Sequence, residues 1–352
     1  HQLARALIAR GHEVRVLTMR LGPGPAEVTV EGVPVYRAIW GLERGALFGV
    51  SYLFTAVAAI LRLARHAEVL HAHHLYLDAI AAAAVGRNIR LPALAKLACG
   101  GAVGDLGRLR RMAGTTLWLK LLRRLDRIVV PSRQTEAEAQ AAGFPAERIV
   151  RIPNGVDLTR FSPAQTVALK ERHRTVLFLG RLDAQKGVDT LLHAWAEVAS
   201  RLRGVSLTIG GAGPLRPELC AEAARLGLGD RVQFLGVVPD PERHLRAADV
   251  FVLPSWHEGL PNALLEGMAT GLPCVATAIG GTVDVVTDEQ DALLVPPGDP
   301  VALAKALLRV LTDASLARRL GTAARRRVVA HYPLDAVVTR YEQLYKEMRD
   351  AA

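Results

Sequence analysis

The sequence is poor in aromatic residues and in cysteine. Aromatic side chains make up 5% of the 352 residues, and there are three cysteines, Cys99, Cys220 and Cys274. So few aromatic rings argue against a carbohydrate site lined by stacked rings. The cysteines form no CxxC pair, which excludes a disulfide scaffold and favours reduced thiols in a cytosolic protein.

Long apolar runs and targeting signals are also missing. The uncharged apolar run over residues 46–61 is short, whereas a helix that spans a bilayer needs roughly 20 predominantly apolar residues. We therefore expect no transmembrane span, and a buried or interfacial helix over this run. No signal peptide is visible either.

The opening strand of a Rossmann-like domain is not seen. The chain starts at His1 inside a helical pattern in which Leu3, Leu7 and Ile8 share one face, and a strand follows from Val14. A Rossmann-like domain opens with a strand and a Gly-rich turn before its first helix. We interpret the sequence as truncated at its N-terminus, without that strand and loop.

Positive charge is present in excess and is unevenly distributed. The formal net charge is +10. Residues 1–150 hold 20 Lys or Arg against 11 Asp or Glu, whereas residues 151–352 hold 24 against 23. A general excess of Arg in the proteome would add positive charge to both halves equally, so it does not explain the asymmetry. A basic first half suits contact with an anionic membrane, a lipid phosphate or nucleic acid.

The rest of the chain alternates short β-branched runs with longer helical patterns, which predicts parallel sheets covered by helices. Turn residues near 152–157 mark a boundary between two strand-bearing blocks. We expect a first domain over 1–150, a second over 151–333, and a final helix over 334–352 that packs back on the first domain. The predicted strands are 14–18, 33–37, 69–71, 94–97, 128–130 and 149–152, then 176–179, 206–209, 232–234, 250–253, 274–276 and 292–295.

Two cations follow the first strand of the second block. In VLFLGRLDAQKG a buried strand runs into Gly180, and Arg181 and Lys186 lie in the loop before a helix that starts near Asp189. Open α/β sheets bind ligands at the carboxyl ends of their strands, and an Arg with a Lys suits a diphosphate. The alternative is a pair of solvated loop cations.

A second constellation is the segment PSWHEGLPNALLE, residues 254–266. A buried strand ends just before it, and Pro261 is placed where a helix begins. The free amides at the start of that helix suit a phosphate. Glu258 before the helix and Glu266 within it could each accept two vicinal hydroxyl groups; alternatively they are a helix-dipole partner and a surface charge. The glycines of TIGGAGP, residues 208–214, allow close backbone approach to a ligand or merely a tight turn.

Taken together, these segments resemble the group 1 glycosyltransferases of family 4, which are retaining enzymes with the GT-B fold. The matching pieces follow the family's order over nearly the whole chain, and Glu258 and Glu266 match its E-x7-E motif. The resemblance implies two Rossmann-like domains that face each other across a cleft. It also implies sugar transfer from a nucleoside-diphosphate sugar, used as co-substrate, to a glycan, lipid-linked or small-molecule acceptor of the cell envelope. No metal site and no further cofactor are expected.

By the same resemblance, Arg181 and Lys186 grip the diphosphate, Glu258 contacts the donor sugar, and Glu266 holds the ribose hydroxyl groups. The remaining donor-site residues are Gly211, Gly259, Leu260 and Asn262 beside sugar and phosphate, and Phe234 and Leu235 near the base.

The acceptor side departs from the family. Many members carry a His after the fourth strand of the first domain, where this chain reads ALAKLACGGAVGD, residues 93–105. His73, which follows another strand, is the remaining candidate for a cleft-lining His; a structural role is its alternative.

Other functions stay open at this point. A sugar-nucleotide epimerase or a glycan phosphorylase would share the fold, and a degenerate transferase could bind without catalysis. A phosphorylase needs a pyridoxal-bearing Lys, for which Lys186 and Lys305 offer no context. Nucleic-acid binding rests on charge alone, and we expect none. The stretch 108–127, rich in Arg, Leu and Trp, is either an ordinary domain helix or a peripheral contact with the anionic inner face of a membrane.

Overall fold

The computed structural model describes residues 1–42, 46–164 and 173–351. The chain divides into two compact units. Unit 1 comprises His1–Pro153 together with Asp335–Ala352, and unit 2 comprises Asn154–Leu334.

Unit 1 contains two sheets. Strands β1 to β3 form a three-stranded sheet in the order β1-β3-β2, and strands β4 to β7 form a parallel four-stranded sheet in chain order. The strands are Val16–Met19 (β1), Glu27–Val30 (β2), Val33–Ile39 (β3), Leu70–Ala72 (β4), Ala93–Lys96 (β5), Arg127–Val130 (β6) and Ile149–Arg151 (β7). The helices are Gln2–Ala9 (α1), Ala46–Leu63 (α2), Leu77–Ile89 (α3), Asp105–Arg110 (α4), Thr115–Leu122 (α5) and Arg133–Ala141 (α6).

Strand β2 is the one strand of the described residues that the sequence patterns did not predict. It pairs antiparallel with β3, and the two are joined by Glu31 and Gly32, both at positive φ. A two-residue turn with positive φ at both positions matches the twist of a hairpin. The Gly- and Pro-rich sequence before β2 and its short length concealed it, so the sheet is mixed rather than wholly parallel.

Unit 2 is built on one parallel sheet of six strands in the order β10-β9-β8-β11-β12-β13. The strands are Arg174–Leu179 (β8), Val205–Gly210 (β9), Val232–Gly236 (β10), Val250–Leu253 (β11), Cys274–Thr277 (β12) and Leu293–Val295 (β13). The helices are Val188–Arg201 (α7), Arg216–Arg225 (α8), Pro241–Ala247 (α9), Asn262–Ala269 (α10), Gly280–Val285 (α11), Pro300–Thr312 (α12) and Ala314–His331 (α13). These six strands overlap the six that the apolar runs predicted.

The core of unit 2 lies on both faces of this sheet. Strand β11 is buried along its whole length, as a strand covered on two sides must be. Trp195 of α7 is fully buried, and its indole N–H donates to the carbonyl oxygen of Arg231 at 3.0 Å. The central strands are therefore held rigidly, and so are the points at which they end.

The last helix, Leu334–Asp350 (α14), packs within unit 1. Its buried face carries Val337, Tyr341, Leu344 and Met348, which form an apolar cluster with Leu94, Val129 and Ile152 on one face of the four-stranded sheet. Arg10 reinforces this attachment, since its guanidinium donates to the carbonyl oxygen of Asp335 at 2.9 Å.

Helix α2 is longer than the uncharged run that predicted it. The helix continues through Arg62 into a 3₁₀ turn, Ala64–His66, because two arginines do not interrupt helical structure. By length and composition alone, the stretch Leu47–His66 could therefore cross a membrane, and it is the one such stretch in the described part of the chain; 28% of it is buried inside the protein. Core helices of globular proteins pass the same test, so this finding by itself has little weight.

Candidate functional site

The sheet of unit 2 has a point at which its strand order reverses. From β8 the chain continues to β9 and β10 on one side, and then returns to β11, β12 and β13 on the other side. Strands β8 and β11 are parallel neighbours, with Val250 opposite Val176. Open α/β sheets bind ligands at the carboxyl ends of the strands beside such a switch point. The two predicted motifs are the loops that leave β8 and β11.

The loop after β8 carries Arg181 and Lys186. The side chain of Arg181 is 71% exposed, and its Nε lies 3.4 Å from Oδ2 of Asp183. Residues 184–186 form a 3₁₀ turn, and Gly187 follows in the left-handed conformation with φ +61°. A Cβ atom at Gly187 would lie 2.2 Å from the carbonyl oxygen of Pro254. Only glycine therefore lets the two loops approach this closely.

The loops after β8 and β11 are joined by three polar contacts. The backbone N–H of Trp256 donates to the carbonyl oxygen of Gln185 at 2.8 Å. The amide of Gln185 donates to the carbonyl oxygen of His257 at 2.7 Å. Nζ of Lys186 lies 2.6 Å from Oε1 of Glu258, as a hydrogen-bonded ion pair. The structure thus brings two of the predicted catalytic residues into direct contact.

The Glu258 side chain is buried and accepts a second hydrogen bond, from Ser255. The hydroxyl of Ser255 donates to the same Oε1 atom at 2.8 Å, and the carbonyl oxygen of Ser255 accepts from the hydroxyl of Thr277 at 2.6 Å. Two donors, one of them charged, therefore fix the orientation of this carboxylate.

Ser255 and Thr277 are the site residues that the sequence reasoning missed. A signal was present, because Ser255 and Glu258 are spaced as S-x-x-E, the spacing at which a hydroxyl and a carboxylate can reach each other across a turn. Thr277 carried none: it reaches the site through the pairing of β11 with β12.

Glycines bring the strand-end loops together. Gly211, predicted beside the sugar, has φ +145°, and its N–H donates to the carbonyl oxygen of Gly236 at 2.7 Å. A Cβ atom on it would lie 1.8 Å from the carbonyl oxygen of Gly180. The backbones that follow β8, β9 and β10 are therefore in direct contact.

Helix α10 begins directly after the β11 loop. Its N-cap is Pro261, and no side chain caps the helix, so the first amides are available to an anion. Gly259 and Leu260 are buried before it, and the carbonyl oxygen of Leu260 accepts from the Asn154 amide at 2.7 Å. Asn262 is exposed at the first helical position.

Glu266 lies half-buried in the second turn of α10. The helix lies close on β11, because a Cβ atom at Gly267 would meet the ring of Phe251 at 2.9 Å. Glu266 is thus carried by an element whose position is fixed against the sheet, eight residues after Glu258.

Phe234 and Leu235 lie on β10, at the edge of the sheet. The Phe234 side chain packs against the core of unit 2. A ligand at this edge of the sheet would therefore meet backbone atoms and not the Phe234 ring. Gly236 ends the strand with φ +73°. The two residues predicted near the base are therefore next to the Gly211 loop and two strands away from the Arg181 loop.

His73 belongs to unit 1, directly after β4. Its ring is exposed at one side and stacks on His71 at 4.3 Å between centroids. Desolvation by the surrounding protein, together with the nearby charge of Lys96, lowers the pKa of His73 to about 4. Its imidazole is therefore neutral at physiological pH.

The glycine-rich turn that replaces the family's His, residues 99–104, is organised by two carboxylates. Asp105 is buried and accepts from the N–H groups of Leu75 and Ala98, which links the turns after β4 and β5. Oε1 of Glu138 accepts from the N–H of Gly101 at 2.8 Å. No motif in the sequence pointed to either residue.

Residues 1–42, 46–164 and 173–351 contain no group of three or more His, Cys, Asp or Glu side chains that could hold a metal ion. The expectation of a metal-independent reaction stays a prediction.

Comparisons with known proteins agree with the geometry. A family model described as Glycosyl transferases group 1 matches residues 173–313, and one described as Glycosyltransferase Family 4 matches residues 1–160. A D-inositol 3-phosphate glycosyltransferase of Salinispora tropica is 32% identical over 92% of this chain and 75% of its own length.

Solved structures show the same architecture. A sucrose-phosphate synthase from Thermosynechococcus elongatus superimposes with a TM-score of 0.81 and 28% identity, over 100% of this chain and 92% of that one. Anabaena HepE, solved with UDP and glucose, gives a TM-score of 0.77 at 21% identity over 90% and 86% of the two chains. The fold and the strand-end site define a glycosyltransferase of the GT-B type. The chain belongs to the group 1 glycosyltransferases of family 4.

Proposed function

We propose that this protein transfers a sugar from a nucleoside-diphosphate sugar to a glycan, lipid-linked or small-molecule acceptor, with retention of anomeric configuration, in the synthesis of cell-envelope polysaccharide or glycolipid. The observation that carries the proposal is the Lys186–Glu258 pair at the switch point of a parallel sheet. A cation and a carboxylate that touch there can face, respectively, the phosphate and the sugar of one donor molecule.

In this proposal the diphosphate binds between the β8 loop and the first amides of α10. Arg181 is exposed beside Asp183 and turns toward the diphosphate, while Lys186 is held at the base of the loop. Negative charge on the diphosphate grows as the bond to the sugar breaks, so two cations next to it stabilise the transition state more than the ground state. An arriving diphosphate competes with Glu258 for Lys186.

Glu258 and Glu266 accept hydrogen bonds from the hydroxyl groups of the donor. Glu258 receives the sugar, and the hydrogen bond from Ser255 keeps it in place when Lys186 turns to the phosphate. Glu266, further along α10, receives the ribose. Gly211, Gly259 and Leu260 supply close main chain to sugar and phosphate, Asn262 lies at the helix start, and Phe234 and Leu235 bound the base.

The proposed classes of donor and acceptor are supported by the ligands bound to one related protein and by the name of another. HepE was solved with UDP and glucose, and the Salinispora tropica relative is named for transfer to an inositol phosphate. Both fit a nucleotide-sugar donor and a hydroxyl-bearing acceptor, and no cofactor beyond the donor is required.

We propose that His73, in unit 1, contacts the acceptor. Since its pKa is lowered to about 4, it is neutral at pH 7 and can accept a hydrogen bond from an acceptor hydroxyl group. It is a weak base, so its contribution is orientation more than proton removal.

A contact with an anionic membrane through residues 108–127 is part of the same proposal. The stretch folds as α4 and α5, and its core-facing leucines Leu109, Leu122 and Leu125 are buried. Its exposed side chains include Leu117 and several basic residues, among them Arg110, Arg111, Arg123 and Arg124. The basic residues attract an anionic surface.

The Lys186–Glu258 pair favours a catalytic protein over a binding protein without catalysis. A degenerate binding protein has no need of a lysine held against a buried carboxylate beside a phosphate site. A sugar-nucleotide epimerase on the same fold would also need Lys186, and is the second candidate.

The test is NMR of the wild type with UDP-, GDP- and ADP-sugars, which reads the anomer of the transferred or slowly released sugar directly. We expect the donor's anomeric configuration to be kept, and Arg181→Ala and Lys186→Ala to lower turnover at saturating donor more than they raise the donor KM. Inverted product would refute retention. An epimerised donor would favour the epimerase.

A further inference from the structure

Helix α2 presents apolar side chains to the outside. Its exposed positions through four turns are Leu47, Val50, Phe54, Ala58 and Leu61, which share one face of the helix and are called the α2 ridge below. Phe54 is 75% exposed and Val50 is 67% exposed. A surface helix of a globular protein turns polar residues to the water, so this helix has the reverse pattern.

The orientation of the ridge is fixed by the opposite face of the helix. Thr55, Ala56 and Ala59 are buried, and Ala56 packs in a cluster with Ile39 and Ala81. Phe48, Tyr52 and Leu53 pack toward the main core of unit 1. The helix is thus a docked layer of the domain, and the ridge is what that docking leaves uncovered.

The segment before the helix extends this apolar surface. Trp40 and Leu42 are both exposed. They are tied to α2 by three hydrogen bonds. The Thr55 hydroxyl donates to the Trp40 carbonyl oxygen at 2.8 Å and accepts from the Trp40 N–H at 3.2 Å, and the Leu42 N–H donates to the Ser51 hydroxyl oxygen at 2.9 Å. An exposed Trp beside an apolar helix is typical of surfaces that meet a membrane interface.

The charged residues of α2 and of the turn that follows it are all basic, and Arg62 lies 3.9 Å from one acidic residue, Glu27 of β2. The sequence holds no acidic residue between positions 46 and 67, and the exposed positions that continue the ridge in the next turn are Arg62 and Arg65. Helix α3 packs against both α2 and α5, so the basic surface of residues 108–127 lies on a neighbouring element. Apolar ridge and cations together match a bilayer that has an apolar interior and an anionic surface.

We propose that the α2 ridge is a membrane-docking surface, with α2 lying in the interface plane of an anionic bilayer and Phe54 at its deepest point. Stable attachment takes two signals, an inserted apolar surface and basic residues beside it, and unit 1 supplies both. A second copy of the chain is a poorer occupant, because two strongly basic units repel each other. The proposal does not depend on which sugar is transferred, or on whether transfer occurs.

The test is sedimentation of the full chain with phosphatidylcholine vesicles, with and without phosphatidylglycerol. Val50→Ser/Phe54→Ser removes the ridge at positions whose side chains contribute little to folding. The matched control, Val301→Ser/Val329→Ser, replaces two exposed valines of unit 2. Circular dichroism and nucleotide binding check that each variant is folded.

We expect the wild type and the control to sediment with anionic vesicles, and the ridge variant to bind at least about tenfold more weakly, since burial of a Phe and a Val side chain is lost. Arg110, Arg111, Arg123 and Arg124 changed to Gln should remove the salt-sensitive part of binding and leave an apolar part that persists at high salt.

Three results would overturn the proposal. One is a folded wild type that ignores anionic vesicles at low salt. Another is a ridge variant that binds as tightly as the wild type. The third is concentration-dependent dimerisation, abolished by the ridge variant and not accompanied by vesicle binding, which would assign the ridge to a second copy.

Discussion

At the scale of single residues, the site depends on one carboxylate oxygen. Oε1 of Glu258 accepts from both Lys186 and Ser255. Glu258 is buried, so a lost donor is not simply replaced by water. The sequence identified Lys186 and Glu258 from their motifs, but their contact depends on two loops that are more than 70 residues apart in the chain.

We predict that Ser255→Ala lowers kcat. In this variant the Glu258 carboxylate loses both of these hydrogen-bond donors once Lys186 has turned to the diphosphate. The lost hydrogen bond to a charged group is worth roughly 1.5–3 kcal/mol, so kcat should fall by about tenfold or more, with a smaller change in donor KM. Steady-state kinetics measure both. Ser200→Ala, on the exposed end of α7, is the matched control. An unchanged kcat would mean that Ser255 only completes the fold.

The histidines of unit 1 give a prediction about pH. Burial lowers the pKa of His71 well below its usual value, and desolvation with Lys96 lowers that of His73 to about 4. Between pH 6.5 and about 4 the unfolded chain therefore binds more protons at these two groups than the folded chain. Their contribution to stability is complete above pH 6.5 and is lost as the pH falls toward 4. His74, whose pKa is raised by Asp105, opposes this trend.

We expect His73→Gln to flatten the pH dependence of the free energy of unfolding between pH 6.5 and 4. Urea unfolding followed by circular dichroism at several pH values measures it. His66→Gln, an exposed histidine of the same unit, is the control and should follow the wild type. If His73→Gln and the wild type have parallel curves, His73 is not desolvated in the folded protein.

At the scale of elements, the alternation of apolar runs and helical patterns was sufficient to place the strands of unit 2, because each strand is a continuous buried run. It failed for β2, where a hairpin depends on the turn at Glu31 and Gly32. For α2 the apolar residues predict a buried or interfacial helix and do not say which side faces out. Burial on one face and exposure on the other are set by tertiary packing.

Two glycines allow the loop contact to be tested apart from backbone strain. Gly187 and Gly204 have φ of +61° and +69°, so Ala at either position costs about 1–2 kcal/mol of backbone strain. A Cβ at Gly204 meets open space, whereas at Gly187 it meets the Pro254 carbonyl oxygen. We predict that Gly187→Ala separates the two loops and weakens donor binding, while Gly204→Ala lowers only the unfolding free energy. Calorimetry with the donor and chemical unfolding separate these effects, and equal donor affinities in the two variants would contradict the prediction.

At the scale of the whole molecule, the family resemblance covers nearly all the chain, and the fold follows from it. The resemblance predicted which residues face the donor, and the structure shows where their motifs lie: they leave β8 and β11, whose pairing marks the switch point. The acceptor side was less predictable. The chain lacks the family's His, and the carboxylates that organise its glycine-rich turn, Asp105 and Glu138, come from separate helices.

The central claim is that unit 2 binds a nucleoside diphosphate at this switch point. Calorimetric titration of UDP, GDP and ADP into the wild type and Glu266→Ala tests it most directly. We predict that the wild type binds at least one of the three, and that Glu266→Ala weakens that binding by about tenfold or more, because a charged acceptor of the ribose hydroxyl groups is lost. Glu347→Ala, an exposed carboxylate of α14, should bind like the wild type. If none of the three binds, or if Glu266→Ala binds with wild-type affinity, the switch point is not the donor site as described.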